Sequence, residues 1–389
     1  MSEWKRVKLK ELIKEVNERN KGEKVKSVLS VTNSRGFVSQ EEYFEGTVHS
    51  ANISNYKIVR KNQFAYNPSR VNVGSIDILK DYECGALSPM YVVFEVDTTK
   101  LLPDYFKYYF QTNRFFENVK NNTQGSVRNS LSFKSLADFD YLLPPIEEQK
   151  KIISLLNSVD IVINYIEVKE EKIRQCKKEL LQKEYGENWK EYKFKELIIG
   201  EIRNGVFKNP NNVGSGYKLI NVMDLYNEPF IDEKKLELLK VTDKEYELNK
   251  VNNEDLFFTR SSLKLEGIAH CNIYYGNAHN IIFECHVMRA TPNKEKVNSY
   301  LLKNLFGIYE IRKQIIKKSK TTTMTTIGQE DLLNIKVRLP KLEEQNKISM
   351  ILKKFDENIQ LMELKNKEYK NIKKALMQKL LTGKVRVKI

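Results

Sequence analysis

The chain has 389 residues and a formal net charge of +15, which gives it length for two to three domains, each with its own core. It contains no run of 18 apolar residues, and its charged start leads into no apolar segment, so we expect neither a membrane span nor a signal peptide. Its four cysteines lack framework spacing and predict reduced thiols in a cytoplasmic protein, while the positive charge indicates a polyanionic partner.

The first segment, residues 1–142, mixes short β-rich runs with helical sequence. Runs at 26–31, 76–79 and 91–96 predict strands, and residues 104–120 predict a helix. This mixture predicts an α/β or α+β globule and leaves its topology open.

A long repeat follows the first globule. Residues 143–183 return as residues 339–379, with 17 of 41 positions identical, which indicates duplicated structure. Early proline and glutamate and late lysine predict a long helix in each copy. A helix of about 40 residues would be about 60 Å long, too long for the interior of a small domain. We therefore expect the two helices to pack antiparallel as a coiled coil.

Each predicted helix carries an apolar row with heptad spacing and further apolar residues beyond what one seam needs. This surplus predicts docking of other subunits, although packing against the chain's own globules explains it equally well. Lys169 and Lys365 fall in the seam, where they either fix the register or extend to water. The predicted helix and subunit interface residues are Ile152, Leu156, Val159, Ile166, Ile173, Leu180, Ile348, Leu352, Phe355, Met362, Tyr369 and Leu376.

The second globule, residues 187–338, opens like the first, because residues 189–197 resemble residues 4–12. Runs at 218–222, 272–275 and 281–283 predict strands, and residues 299–318 predict a helix equivalent to 104–120.

The predicted order is therefore globule, central helix (143–186), globule and C-terminal helix (339–389). Each helix leads towards the start of a globule. We therefore expect the second helix to end near Trp4, which predicts a circular, pseudo-two-fold arrangement.

Polar loops in both globules contain residue types that contact DNA. Arginine can make two hydrogen bonds to guanine, asparagine and glutamine can do so to adenine, and hydroxyls reach phosphate oxygens. One such loop is more often a solvated turn, but recurrence at matched places favours binding. The predicted DNA-binding residues are Arg35, Asn67, Ser69, Arg70, Asn72, Gln124 and Arg128 in the first globule, and Arg203, Lys208, Arg260, Ser261, Lys264, Lys320, Thr322 and Thr323 in the second.

The sequence resembles the specificity (S) subunit of Type I restriction-modification systems over nearly its whole length. The resemblance lies in the twice-repeated Leu-Pro-x-[Ile/Leu]-Glu-Glu-Gln before a long helix, the Thr-rich segment 321–327 and residues 376–384. Lys341 departs from the first copy, which has Pro145 there.

The resemblance implies two target-recognition domains that each read one half of a bipartite, asymmetric target in double-stranded DNA. It implies that the helices set the spacer. It also implies partners, two methyltransferase (M) subunits and restriction (R) subunits. S-adenosylmethionine, ATP and Mg would belong to those partners, with no cofactor bound by this chain.

Other patterns do not favour chemistry in this chain. His270, Cys271, His279, Cys285 and His286 lack paired zinc-site spacing and are interpreted as ordinary strand residues rather than as a metal site. No P-loop or catalytic constellation is apparent, so we predict a non-catalytic protein. The alternatives are a coiled-coil scaffold with sequence-independent DNA binding, or an enzyme in which one globule is a nuclease or methyltransferase.

Overall fold

A computed structural model describes residues 3–43, 50, 52–123, 130–277, 279–321 and 323–387. The chain divides into two compact units. The first unit consists of residues 1–166 and 365–389, and the second of residues 167–364. Each long helix therefore contributes one part to each unit.

The first unit combines short strands, short helices and parts of both long helices. Its strands are β1 (Lys5–Lys8), β2 (Ile13–Val16), β3 (Leu29–Thr32), β4 (Gly36–Ser39), β5 (Lys57–Arg60), β6 (Phe64–Tyr66), β7 (Ile76–Ile78), β8 (Cys84–Leu87), β9 (Val92–Val96) and β10 (Asp140–Leu143). Its helices are α1 (Gln40–Tyr43), α2 (Pro103–Tyr109), α3 (Asn113–Thr123), α4 (Phe133–Ala137) and the first part of α5 (Ile146–Glu184).

The second unit has a similar composition. Its strands are β11 (Lys190–Lys193), β12 (Ile198–Asn204), β13 (Val213–Ile220), β14 (Glu237–Leu239), β15 (Leu256–Thr259), β16 (Ser261–Ser262), β17 (Cys271–Ile273), β18 (Ile281–Phe283), β19 (Val287–Pro292), β20 (Lys320–Thr321), β21 (Thr325–Thr326) and β22 (Lys336–Leu339). Its helices are α6 (Asp243–Asn249), α7 (Ser299–Leu305), α8 (Tyr309–Lys318), α9 (Gln329–Leu333) and the first part of α10 (Leu342–Leu380).

Both units contain the same antiparallel sheet. Its strand order is β2-β9-β6-β7 in the first unit and β12-β19-β15-β17 in the second. A short ladder also recurs, because β1 pairs with β10 and β11 pairs with β22. The duplication seen in the helix sequences therefore extends through the globules. The sequence predicted mixed α and β structure, and the structure defines the topology.

The central strands are buried on both faces. In β6, Phe64 and Tyr66 face one apolar cluster while Ala65 faces another, as successive strand residues must. In β15, Phe258 and Phe257 divide between two clusters in the same way. Such strands are continuous apolar runs, without the alternation that marks a half-buried strand.

Each predicted globule helix is in fact a pair of helices. The stretch 104–120 divides into α2 and α3, and 299–318 divides into α7 and α8. Thr112 interrupts the first pair because its hydroxyl accepts a bond from the backbone N–H of Phe115 (3.3 Å). Gly307 lies at the break of the second pair, where a residue with low helix propensity favours a turn.

The long helices α5 and α10 each span 39 residues and run antiparallel, as predicted. In the second unit Arg174 pairs with Glu363 (2.5 Å) and Lys177 with Asp356 (2.7 Å), so numbers fall on α10 as they rise on α5. Lys169 and Lys365 are both exposed rather than buried in the seam. No helix in the described ranges is long and apolar enough to cross a membrane.

The end of α10 lies beside Trp4 in the first unit, as predicted. Gly383 has a φ of 71°, and a Cβ there would lie 3.3 Å from the Trp4 ring, which favours glycine on both counts. Trp4 donates to the buried Glu148 carboxylate (2.9 Å), which also accepts two 2.7 Å bonds from Arg386. Burial alone would raise the pKa of Glu148, but these hydrogen bonds lower it overall.

Candidate nucleic-acid interface

Arg35 lies exposed at the tip of the β3–β4 hairpin in the first unit. The Thr32 hydroxyl accepts a bond from the Arg35 backbone N–H (2.9 Å) and donates to the Gly36 carbonyl (3.1 Å). Gly36 has a φ of 61°, and a Cβ there would lie 1.9 Å from the Asp77 carboxylate. A side chain at position 36 would therefore be strained by the positive φ and would have to push aside the Asp77 carboxylate next to the turn that presents Arg35.

The loop 67–75 is fastened at its base to the same hairpin. The Asn67 N–H donates to the Ser75 carbonyl (3.1 Å), and the Ser75 hydroxyl donates to the Val31 carbonyl (2.6 Å). The Asn67 side chain accepts from the Ser69 N–H (3.0 Å), so this asparagine forms the turn. The exposed side chains of this loop are Ser69, Arg70, Asn72 and Val73.

A cleft of about 620 Å³ lies between the Arg35 hairpin and the end of the 67–75 loop. Lys107 of α2 and Gln111 of the turn between α2 and α3 line its wall. Burial raises the pKa of Asp77, whose carboxylate lies 3.7 Å from the Lys107 ammonium. The cleft is therefore lined by the cations Arg35 and Lys107 and by the Gln111 amide, with the partly buried Asp77 carboxylate among them.

Two of the predicted residues of the first globule, Gln124 and Arg128, lie outside the described residues, as does Thr322 in the second globule. Just beyond the first pair, the backbone N–H of Leu131 donates to the Pro68 carbonyl (3.0 Å). The chain thus returns to the 67–75 loop at Leu131.

In the second unit, a small sheet brings together two loops that are distant in sequence. Its strand order is β16-β21-β20, with Ser261 and Lys320 both opposite Thr326. Ser261 is half-buried in this ladder, whereas the side chains of Arg260, Lys264, Lys320 and Thr323 are exposed. Three cations and a hydroxyl are therefore exposed on or next to this small sheet.

The structure pairs Lys208 within the globule and separates Arg203 from the other candidates. Lys208 forms a close ion pair with Glu237 and lowers the pKa of that carboxyl through the hydrogen bond, so a phosphate contact would compete with this pair, and the DNA-binding role of Lys208 stays a prediction. Arg203 is exposed on β12, opposite Arg289 of β19, rather than in the β16-β21-β20 sheet.

Four of the predicted interface residues belong to the globule cores. Ile152 and Leu156 are packed into the core of the first unit, and Ile348 and Leu352 into that of the second. These four are therefore unavailable to another subunit. The other predicted positions are buried or half-buried: Val159, Ile166, Ile173, Leu180, Phe355, Met362, Tyr369 and Leu376.

A different set of helix residues is apolar and exposed at matched positions of the repeat. Leu155 is 42% exposed and its equivalent, Ile351, is 49% exposed. Tyr165 is 62% exposed and its equivalent, Leu361, is 45% exposed. Each unit thus presents apolar side chains on a long helix. Exposed apolar groups that recur in both copies are typical of interaction surfaces.

The final glutamine of the repeated motif fastens each long helix to its globule, a role that sequence reasoning missed. Gln149 accepts from the Leu102 N–H (2.8 Å) and donates to the carbonyls of Lys100 (2.8 Å) and Pro144 (2.9 Å). Gln345 makes the equivalent bonds to Asn298 (2.9 Å), Lys296 (3.2 Å) and Pro340 (2.9 Å). The signal was available, because both glutamines are identical between the copies and lie before an apolar row.

The His/Cys segment is spread over separate environments. Cys271 is buried in β17, whereas His279 and His286 are exposed. Burial lowers the pKa of His270, whose Nε2 lies 3.1 Å from the Leu225 carbonyl. Within the described ranges, no group of three or more His, Cys, Asp or Glu side chains could hold a metal ion.

Comparison with known proteins gives a consistent result. Residues 1–175 and 186–371 match the sequence profile described as Type I restriction modification DNA specificity domain. The chain is 23% identical over 284 residues to the Type I restriction enzyme EcoKI specificity subunit of Escherichia coli. That match covers 68% of this chain and 59% of the subunit, so it spans less than two thirds of that relative.

Two further matches cover more of the relative. The chain is 26% identical over 366 residues to the Type I restriction enzyme MjaVIII specificity subunit of Methanocaldococcus jannaschii, covering 85% of this chain and 81% of that one. Its fold is similar to a chain in a solved structure of the type I R-M system, with a TM-score of 0.60, 13% identity and 99% of each chain covered.

Proposed function

This chain belongs to the Type I restriction modification DNA specificity family, and from that premise we propose that it is the DNA-recognition subunit of such a system. Each globule reads one half of a bipartite target, and the long helices determine the spacer. The observation that carries this proposal is the duplicated sheet, with different polar loops beside it in the two units. Different loops read different bases, so the target is asymmetric.

The contacts divide into those that position the protein and those that specify bases. Arg70 and Arg260 are exposed on loops held by backbone hydrogen bonds, so they are the candidates for guanine recognition. Lys264, Lys320 and Thr323 are suited to phosphate oxygens, because a lysine ammonium acts as a point charge rather than a planar fork. Two readers at a fixed separation are the general solution for split sites.

Two M subunits dock on the exposed apolar positions of the long helices. Leu155 and Tyr165 serve one subunit, and Ile351 and Leu361 serve the other. Their equivalence in the repeat supports two copies of the same partner. R subunits join the complex through contacts that these residues do not define. This chain contributes recognition, whereas methyl transfer from S-adenosylmethionine and ATP-driven cleavage belong to the partners.

The experiment is a genome-wide map of methylated adenines in cells that express a Type I M subunit with or without this chain. A gapped, asymmetric motif that requires the chain is the expected result, and it identifies both half-sites at once. If the complex assembles but no motif appears, while DNA binding is strong, salt-sensitive and independent of sequence, the scaffold alternative is correct instead.

A further inference from the structure

A tyrosine, an aspartate and a lysine meet in each unit where a globule helix contacts the two long helices. In the second unit, the Tyr300 hydroxyl donates to Asp356, whose carboxylate accepts two 2.7 Å bonds from the Lys177 ammonium. In the first unit, Tyr108 donates to Asp160 (2.9 Å), and Asp160 pairs with Lys373 (2.6 Å). We name these groups the second and the first triad.

Each triad joins three elements. The tyrosine comes from α7 or α2, the aspartate from the early part of one long helix, and the lysine from the late part of the other. Asp160 and Asp356 are equivalent in the repeat, as are Lys177 and Lys373. The tyrosines lie on equivalent helices, but Tyr300 is at the second position of α7 and Tyr108 at the sixth of α2. This one-turn difference keeps them on the same helix face.

Burial makes the second triad sensitive to geometry, whereas the Asp160 side chain of the first triad is 38% exposed. Tyr300 is 2% exposed and Asp356 is 6% exposed, and the Lys177 side chain is 14% exposed. A buried charge that loses its partner destabilises a protein strongly, whereas a well-packed apolar replacement is often neutral. The polar groups therefore contribute little to net stability. Their main effect is on the alignment of the helices, since one alignment satisfies the hydrogen bonds of all three side chains.

We propose that each triad fixes one alignment of its globule helix with α5 and α10. The two triads together would then determine the spacer between the half-sites. This rests on the proposed function. A helix that slips by one turn moves about 5.4 Å. Base pairs are about 3.4 Å apart, so such a slip corresponds to one or two base pairs. The triad residues are positioning residues and need not contact DNA.

Two kinds of variant test the proposal in the full-length chain expressed with its M subunit. The triple change Tyr300→Phe, Asp356→Leu and Lys177→Met replaces the second triad by apolar groups, so that no member is left as a buried, unpaired charge. Asp356→Asn breaks the ion pair alone. Glu357→Gln is the matched control, because Glu357 is the neighbouring acid and its ion pair with Lys354 (2.6 Å) is exposed.

The methylated motif is the first measurement. In the triple variant both half-sites should keep their bases, while sites with spacers altered by one or two base pairs rise from background to at least a tenth of all modified sites. Glu357→Gln should retain the single spacer. A single wild-type spacer in the triple variant, or a changed base in either half-site, overturns the proposal.

Hydrogen exchange of the full-length chain without DNA is the second measurement. It tests whether the triad attaches α7 to the long helices, and it does so even if the chain proves not to recognise DNA. Asp356→Asn should speed amide exchange in α7 at least tenfold, whereas Glu357→Gln should leave it unchanged. Equal exchange rates in α7 for wild type and Asp356→Asn would contradict the claim that the triad attaches α7 to the long helices. If the wild type gives no gapped motif, the proposed function falls, and this exchange result still decides whether the triad fastens α7.

Discussion

At the scale of single residues, the polar loops contain two kinds of side chain. Some form hydrogen bonds that shape the loop, and others are exposed to solvent on its surface. Asn67 is engaged by the Ser69 N–H and shapes the turn, whereas the Arg70 side chain is exposed on the same loop. Lys208 has the right chemistry for phosphate but is already paired with Glu237. Residue type alone does not separate these roles, because they depend on which partner lies within hydrogen-bond distance.

The exposed arginines should carry base discrimination. Arg70→Ala and Arg260→Ala should each weaken binding to the cognate duplex by about 1–3 kcal/mol, if each makes two hydrogen bonds to guanine. Titration of cognate and scrambled duplexes at fixed salt measures the effect. Arg60→Ala is the control, because Arg60 is exposed but pairs with Glu18 (2.7 Å). The DNA affinity of this variant should stay near that of the wild type. An unchanged affinity in both arginine variants would assign them to the solvated surface.

The Glu148 contact predicts a defined pH dependence of stability. The folded-state pKa of Glu148 is lowered, so its contribution is present above its unfolded pKa and is lost as the pH falls through the folded value. Glu148→Gln should therefore be less stable near neutral pH by roughly 1.5–3 kcal/mol, the usual value of hydrogen bonds to a charged group. Urea unfolding of the wild type and of Glu148→Gln at a series of pH values measures this. The difference between their unfolding free energies should shrink below about pH 4.5. A difference independent of pH would contradict this assignment.

At the scale of elements, the two long helices are fastened at both ends of their contact with the globules. Gln149 and Gln345 bind the backbone just before α2 and α7, and the triads bind the same helices eleven residues further along. The repeat therefore preserves the polar residues that attach each helix, while much of the surrounding sequence differs between copies.

Removal of one glutamine should destabilise the chain more than its size suggests. Gln345→Ala leaves the Asn298 N–H and two carbonyls without this partner, and an unsatisfied group costs about 1–3 kcal/mol when it is fully buried. These three groups are only partly buried, so water offsets part of that cost. We expect a total loss of roughly 2–4 kcal/mol in unfolding free energy, measured by urea titration. Gln175→Ala is the matched control, since Gln175 is exposed and donates to the exposed Glu179 on the same helix (2.6 Å). Equal stability of the two variants would show that the bonds are replaced by water.

At the scale of the whole molecule, the duplicated plan makes recognition and spacing separable. The sheet and the loops beside it belong to a globule, whereas the triads and glutamines belong to the contact between a globule and the helices. Changes to one class should leave the other intact.

Lengthening both helices should alter the spacer alone. One heptad inserted after Lys169 and another after Lys365, both exposed, leaves each triad within its own unit. Seven residues add about 10 Å of helix, which corresponds to roughly three base pairs. The methylation map should show the same half-sites with a longer gap, and new half-sites would show that the helices are not the ruler.

Exchange of one globule should alter one half-site. The predicted recognition domain 1–142, extended to Leu143 so that β10 stays whole, can be replaced by the equivalent segment of another family member. The methylated motif should change in one half and keep the other. A change in both halves would contradict separate reading by the two globules.

The sequence by itself predicted the long helices, their duplication and their antiparallel packing, because heptad spacing and terminal charges are local signals and the repeat is found by comparing the chain with itself. It also identified the polar loops, but not their grouping. Only the tertiary structure placed Ser261 and Lys320 on either side of Thr326, paired Lys208 with Glu237 and divided the helix residues into buried Leu156 and exposed Leu155. Those outcomes depend on strand pairing and burial between distant residues, which no local pattern encodes.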